Sequence, residues 1–63
     1  MTVQQNKDKT YWFHDEETEE DFFVVACSFS AAHSIAKREF GDDVRFIETV
    51  TEEFAEQMGW DTY

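Results

Sequence analysis

The hydrophobic and polar positions of the chain form blocks that predict three β-strands. Two runs, residues 10–14 and 22–27, are rich in aromatic and β-branched side chains, which are typical of strands. A polar stretch joins them, so the two runs predict a hairpin with a long loop. A third run of the same kind, residues 44–50, predicts another strand.

Two other segments have the spacing and end signals of helices. In the first, four apolar residues fall on one helical face at i, i+3, i+4 and i+8, namely Ala32, Ile35, Ala36 and Phe40. We expect Ser30 to cap this helix and Gly41 to end it in a left-handed conformation. In the second, Thr51 is the expected cap and Gly59 the stop.

The order β-β-α-β-α predicts a small α+β domain over residues 10–63, preceded by a flexible polar arm over residues 1–9. A right-handed crossover from the second strand places the third strand beside the first. The prediction is a three-stranded antiparallel sheet of order 2-1-3, with the first helix packed on one face and a short C-terminal helix.

The second strand is apolar on both faces, and this raises the question of what covers the sheet. Because side chains alternate along a strand, three apolar residues point to each side: Phe22, Val24 and Ala26 to one, and Phe23, Val25 and Cys27 to the other. Two apolar faces need two covers. The short helix and the aromatic tail are candidates for the second cover, and a partner or a second copy is the alternative.

The charge of the chain restricts its partners. Fifteen acidic residues against five basic ones give a net charge of −10, which repels nucleic-acid phosphates and anionic lipids. We therefore expect neither direct nucleic-acid binding nor membrane binding, but a partner with a basic surface. The single cysteine and the lack of an apolar leader or long apolar run predict a cytoplasmic protein.

The acidic stretch at residues 15–21 matches a calcium-binding loop only in part. Four acids alternate there as calcium ligands would, at Asp15, Glu17, Glu19 and Asp21. The sixth loop position is Glu20 where the loop requires glycine, and the twelfth is Ala26 where it requires glutamate. The simplest interpretation is a solvated loop that keeps a small domain soluble.

Metal and nucleophile chemistry have little basis in the sequence. The candidate residues His14, Cys27 and His33 lack the paired spacing of zinc sites. A Cys27–histidine pair lacks an orienting third group, and Cys27 ends a strand that looks buried. A chain of 63 residues also offers little volume for a pocket that excludes water. We predict a protein without catalytic, metal or cofactor sites.

The remaining hypothesis is that carboxylates imitate the phosphates of a nucleic acid. An acidic surface would bind a basic protein and weaken as salt rises. Its electrostatic residues would be Asp15, Glu16, Glu17, Glu19, Glu20, Asp21, Asp42, Asp43, Glu52, Glu53 and Glu56. The aromatic anchors, where exposed, would be Trp12, Trp60 and Tyr63.

In size, acidity and lack of a catalytic motif the chain resembles small proteins of phages and other mobile elements, including anti-restriction and anti-CRISPR inhibitors that mimic DNA. The resemblance implies a noncatalytic inhibitor of a host protein that handles nucleic acid. The alternative is an assembly protein that forms a homodimer through an apolar sheet face, with charge serving solubility alone.

Overall fold

A computed structural model describes residues 8–63 of the chain and confirms the predicted order of elements. The elements are β1 (Lys9–Asp15), β2 (Glu20–Ala26), α1 (Phe29–Phe40), β3 (Val44–Val50) and α2 (Glu52–Met58). The arm predicted over residues 1–9 lies mostly outside the described residues, and Lys9 is the first residue of β1. Neither described helix has the length and apolar character needed to cross a membrane.

The three strands form one antiparallel sheet of order β2-β1-β3, as predicted. At one end of the sheet, Asp15 of β1 lies opposite Glu20 on one side and Val44 on the other. At the other end, Thr10 lies between Val25 and Val50. The hairpin loop and the start of β3 are therefore at the same end of the molecule.

Helix α1 begins two residues earlier than its predicted cap implies. The N-cap is Ser28, whose hydroxyl accepts a hydrogen bond from the backbone N–H of Ala31 at 3.2 Å, so Ser30 lies inside the first turn. The prediction of Ser30 was wrong because both serines satisfy the local rule for a cap. The earlier start turns Phe29 into a helical residue, and its ring contacts Tyr11 and Phe46.

Both helices end at the predicted glycines, but the left-handed conformation expected for Gly41 was wrong. Gly41 follows α1 with φ 93° and ψ −164°, a conformation outside the left-handed helical region but one that is also essentially restricted to glycine. Gly59 ends α2 in the left-handed conformation, and Thr51 caps its start by accepting a hydrogen bond from the N–H of Phe54 at 3.0 Å. The caps and the terminal glycines therefore define the length of each helix that packs against the sheet.

Helix α1 covers the first face of the sheet and forms the main core with it. The buried residues of this core are Tyr11, Phe13, Phe22, Val24, Ala26, Ala32 and Ala36. The two alanines allow the helix to approach the sheet closely, while the aromatic rings fill the space around them. The predicted inward residues of the second strand on this face are thus confirmed.

Helix α2 and the tail cover the second face. Phe23 is fully buried there, with its ring centroid 5.0 Å from that of Trp60 and 6.2 Å from that of Phe54. Trp12 lies against both covering rings, at 5.4 Å from Trp60 and 5.9 Å from Phe54. Chain segments of the protein itself therefore provide the second cover that the strand pattern required. Val25, on the same face, is 37% exposed.

The tail also pairs with the outer edge of β2. The N–H of Phe23 donates to the carbonyl of Asp61 at 2.9 Å, the N–H of Tyr63 to the carbonyl of Phe23 at 2.8 Å, and the N–H of Val25 to the carbonyl of Tyr63 at 2.9 Å. Thr62 lies opposite Phe23 in a parallel bridge. The tail consequently covers one of the two sheet edges, which would otherwise be open to pairing.

Candidate protein-binding surface

The first acidic residue of the hairpin, Asp15, belongs to the structure of the loop. Asp15 is only 3% exposed, and its carboxylate accepts a hydrogen bond from the N–H of Glu17 at 2.9 Å. The carbonyl of Asp15 accepts a second bond, from the N–H of Glu19 at 2.7 Å. Such a side-chain-to-backbone bond organises a turn without glycine. Glu19 adopts φ 60°, a left-handed conformation that is uncommon for residues other than glycine.

The last acidic residue of the stretch, Asp21, also makes internal bonds. One of its carboxylate oxygens, Oδ1, accepts from Trp12 Nε1 at 3.1 Å and lies 2.9 Å from His14 Nδ1. A carboxylate can only accept, so His14 carries a proton on Nδ1. This network holds the strand side chains Trp12 and His14 in one orientation at the edge of the second face.

The acids between these two residues point outward, and the turn before β3 lies beside them. Glu16, Glu17, Glu19 and Glu20 are all exposed. The N–H of Glu16 donates to the carbonyl of Asp43 at 2.9 Å, which ties the hairpin loop to the Asp42–Asp43 turn. The structure thus brings together two of the three acidic segments that the mimicry hypothesis combines.

Two further acids, Asp61 and Glu39, lie near Tyr63 at the same end of the molecule. The Tyr63 ring contacts Phe22 and Phe40, and partial burial raises the pKa of its hydroxyl above the ordinary 10.0. The negative charges of Asp61, Glu39 and Glu20, in that order, raise the Tyr63 pKa further. These acids therefore lie close enough to the phenol, at the outer side of β2, for their charges to act on it.

We call this region the acidic end, and it comprises the exposed acids of the loop, the turn, the end of α1 and the tail. Its members are Glu16, Glu17, Glu19, Glu20, Glu39, Asp42, Asp43 and Asp61. Sequence reasoning missed Glu39 and Asp61. Neither had a local signal, because the path of the tail along β2 brings Asp61 beside Glu20, and the packing of α1 places Glu39 near Tyr63.

Three basic side chains lie at the acidic end and neutralise it in part. Their ion pairs join Arg45 to Glu16 at 3.0 Å, Lys37 to Asp42 at 3.6 Å and Arg38 to Glu39 at 3.9 Å. All six side chains are at least 41% exposed, so each pair contributes at most about 1 kcal/mol to stability. The other acids of the region make no ion pair within residues 8–63 and leave the end negative.

The third predicted segment, the acids of α2, does not join the acidic end as one surface. Val50 and Thr10 mark the opposite end of the sheet, and α2 begins there. Glu52 lies beside Lys9 and Val25, around a shallow cavity. Thr10, at this end, is five positions before Asp15 along β1, which is roughly 17 Å at 3.4 Å per residue. Glu53 lies in the first turn of α2 at this end too, and Glu56 lies near Thr62 and Trp60.

The three predicted aromatic anchors have different surroundings. Trp12 and Trp60 are partly buried against Phe23 and Phe54 in the second cluster. Tyr63 is 40% exposed and adjoins the acidic end. Of the three, Tyr63 is the aromatic side chain best placed to contact a partner together with the acids.

The remaining chemistry candidates are Cys27, which follows β2, and His33, which lies in α1. Cys27 follows β2 and is exposed, so the expectation that it is buried was wrong. His33 stacks on Phe29 and Phe13 at centroid distances of 5.6 and 6.0 Å. Within residues 8–63, no group of three or more His, Cys, Asp or Glu side chains is arranged to hold a metal ion.

No family model matches the chain, and no curated protein or solved structure is detectably similar to it. Its function must therefore be argued from its own residues.

Proposed function

We propose that the protein is a noncatalytic binding module whose acidic end occupies a basic groove of a nucleic-acid-binding protein, as in phage-encoded inhibitors that imitate DNA. The observation that carries the proposal is the hydrogen bond between the Glu16 N–H and the Asp43 carbonyl at 2.9 Å. This bond joins two acidic segments that are far apart in the sequence. The surface it creates has more acids than bases and displays them outward.

Hydrogen bonds within the protein hold the loop that displays these acids. Asp15 organises the loop, and Asp21 anchors the adjacent strand through Trp12 and His14. A preorganised loop loses less conformational entropy on binding than a flexible one. The internal roles of Asp15 and Asp21 leave Glu16, Glu17, Glu19 and Glu20 as the hairpin residues that contact the partner.

The charge pattern suits a partner that normally binds phosphates. Exposed carboxylates attract lysine and arginine side chains over several ångströms, and this attraction is screened as salt increases. The exposed ring of Tyr63 supplies apolar contact area beside the charges. Aromatic side chains are frequent energetic anchors of protein interfaces.

Self-assembly through an apolar sheet face, the alternative function, has less support. Phe54 and Trp60 cover Phe23 on the second face, and α1 covers the first face. The protein's own segments therefore cover much of both faces, and Phe29 and Phe46 stay 45% and 36% exposed.

The test is a pull-down from nuclease-treated host lysate with the wild type and two charge variants. The first variant replaces Glu16, Glu17, Glu19 and Glu20 with glutamine. The matched control removes the same number of charges from elsewhere, through Asp8→Asn, Glu52→Gln, Glu53→Gln and Glu56→Gln. Bound proteins are identified by mass spectrometry at low and high salt, with duplex DNA as competitor.

We expect the wild type and the control to retain one nucleic-acid-binding protein that salt and DNA both displace, and the loop variant to lose it. Circular dichroism and the oligomeric state should be unchanged in the loop variant, because its four glutamates are exposed. Equal capture by the loop variant and the wild type would refute the proposal. A partner lost only from the control would assign binding to α2 and not to the acidic end.

A further inference from the structure

Strand β3 has an outer edge that pairs with nothing in residues 8–63. The sheet order is β2-β1-β3, so β3 is an edge strand, and the only bridge outside the named strands in the described part of the chain is on the side of β2. Apolar residues lie along it, since Phe46 and Ile47 are each 36% exposed. An edge strand with unpaired backbone groups is a template for pairing with another chain.

A bulge in β3 changes which of its charges share a face. Trp12 lies opposite Glu48 and the next residue, Phe13, opposite Phe46, so Ile47 is an extra residue without a partner on β1. The side chain of Glu48 therefore lies on the same face of the sheet as that of Trp12. Trp12 and His14 are two residues apart on β1, so they share a face. Arg45 lies opposite His14 and is therefore on this face as well. Without the bulge, residues 45 and 48 would point to opposite faces.

We propose that β3 pairs antiparallel with β3 of a second copy, about a two-fold axis between Phe46 and Ile47. A two-fold axis perpendicular to the sheet keeps each residue on its own face. In this register Arg45 lies opposite Glu48 of the second copy, and Glu48 lies opposite its Arg45. Phe46 lies opposite Ile47 in the same way, so the strand is complementary to itself in charge and in apolar character.

Charge disfavours the shifted registers. A shift that places Arg45 opposite Arg45, or Glu48 opposite Glu48, puts like charges across from each other, which is destabilising. Arg45 already pairs with Glu16, but its side chain is 65% exposed, and a guanidinium has five N–H donors. The Arg45 guanidinium can therefore donate hydrogen bonds to a second carboxylate, on the other copy.

The arrangement also separates the strongest like charges of the two copies. The acidic end lies at the start of β3, next to Val44, and antiparallel pairing brings this end beside the Val50 end of the other copy. The two acidic ends are thus at opposite ends of a six-stranded sheet. Because the tail covers the edge of β2, pairing through β3 uses the one open sheet edge of residues 8–63 and stops at two copies.

The test uses reciprocal charge reversal on the full chain, with mass measured by analytical ultracentrifugation from micromolar to millimolar protein. Arg45→Glu places glutamates opposite each other twice, and Glu48→Arg does the same with arginines. Each change alone should raise the dissociation constant of the dimer roughly tenfold or more, since 1.4 kcal/mol corresponds to a factor of ten. An equimolar mixture of the two variants should recover a mass of twice 7.5 kDa, because every pair in the mixed dimer is then opposite in charge.

The matched control is Arg38→Glu, which makes the same change in net charge as Arg45→Glu at an exposed position on α1. It should leave the dimer intact, and circular dichroism should show that all variants are folded. A wild type that is monomeric at millimolar concentration would overturn the proposal. So would a dimer that either single variant leaves unchanged, a mixture that stays monomeric, or assemblies larger than two.

Discussion

The internal hydrogen bonds of Asp21 predict that neighbouring carboxylates of the acidic stretch differ sharply in their effect on stability. Asp21→Ala removes the acceptor of both Trp12 Nε1 and His14 Nδ1, two donors that are partly buried. A hydrogen bond to a charged group contributes about 1.5–3 kcal/mol when its loss leaves the donor unsatisfied. Here water can reach His14, which is 24% exposed, so we expect about 2 kcal/mol for the pair.

That loss is large for a domain of this size. At about 0.05–0.15 kcal/mol per residue, a chain of 63 residues has a free energy of unfolding of roughly 3–9 kcal/mol. A loss of 2 kcal/mol corresponds to a decrease in Tm of about 8–16 °C. The effect opposes the general electrostatic trend, because removing one negative charge from an acidic stretch reduces repulsion between its neighbours.

Two variants separate the hydrogen bonds from the charge. Glu20→Ala removes an exposed carboxylate one residue earlier and should change the free energy of unfolding by less than about 0.5 kcal/mol. Asp21→Asn keeps an acceptor oxygen and loses only the charge, so it should fall between the two alanine variants. Urea unfolding at 25 °C, followed by far-ultraviolet circular dichroism, measures all three. Equal stability of Asp21→Ala and Glu20→Ala would refute the reasoning.

Three further perturbations test the fold. Ser28→Ala should lower the free energy of unfolding by about 1 kcal/mol and Ser30→Ala by clearly less, as measured in urea; the reverse order would mean that the helix begins at the later serine. Phe23→Ala should cost about 3–5 kcal/mol and leave much of the protein unfolded by circular dichroism, whereas a folded variant of near wild-type stability would show that the second cluster contributes little. The raised pKa of Tyr63 means that the folded protein favours the neutral phenol. The stability that this preference contributes is fully present below pH 10.0, the ordinary pKa of tyrosine, and is lost as pH rises through the pKa of the folded state. Tyrosinate absorbance should show a titration above that pH which Tyr63→Phe removes, and an unaltered titration curve in the variant would contradict it.

Local sequence signals were sufficient for most of the fold. Runs of aromatic and β-branched residues indicate a strand without reference to the rest of the chain, and Thr51 and Gly59 mark the ends of α2 for reasons of backbone geometry alone. The order of the sheet followed from the preferred hand of the crossover between β2 and β3. The rule for helix caps failed at α1 because Ser28 and Ser30 satisfy it equally.

The roles of the acidic residues required the tertiary structure. Asp15 and Asp21 cannot be distinguished from Glu16 or Glu20 by composition, because their hydrogen-bond partners come from the loop backbone and from the facing strand.

The path of the tail and the extra residue in β3 were equally beyond the sequence. Backbone pairing with β2 brings Asp61 beside the hairpin acids, and the bulge at Ile47 places Arg45 and Glu48 on one face. Sequence determined which segments form strands and helices, because those preferences depend on neighbours along the chain. Only the tertiary structure decided which charges face solvent and which edge remains open, because those depend on contacts between residues distant in sequence.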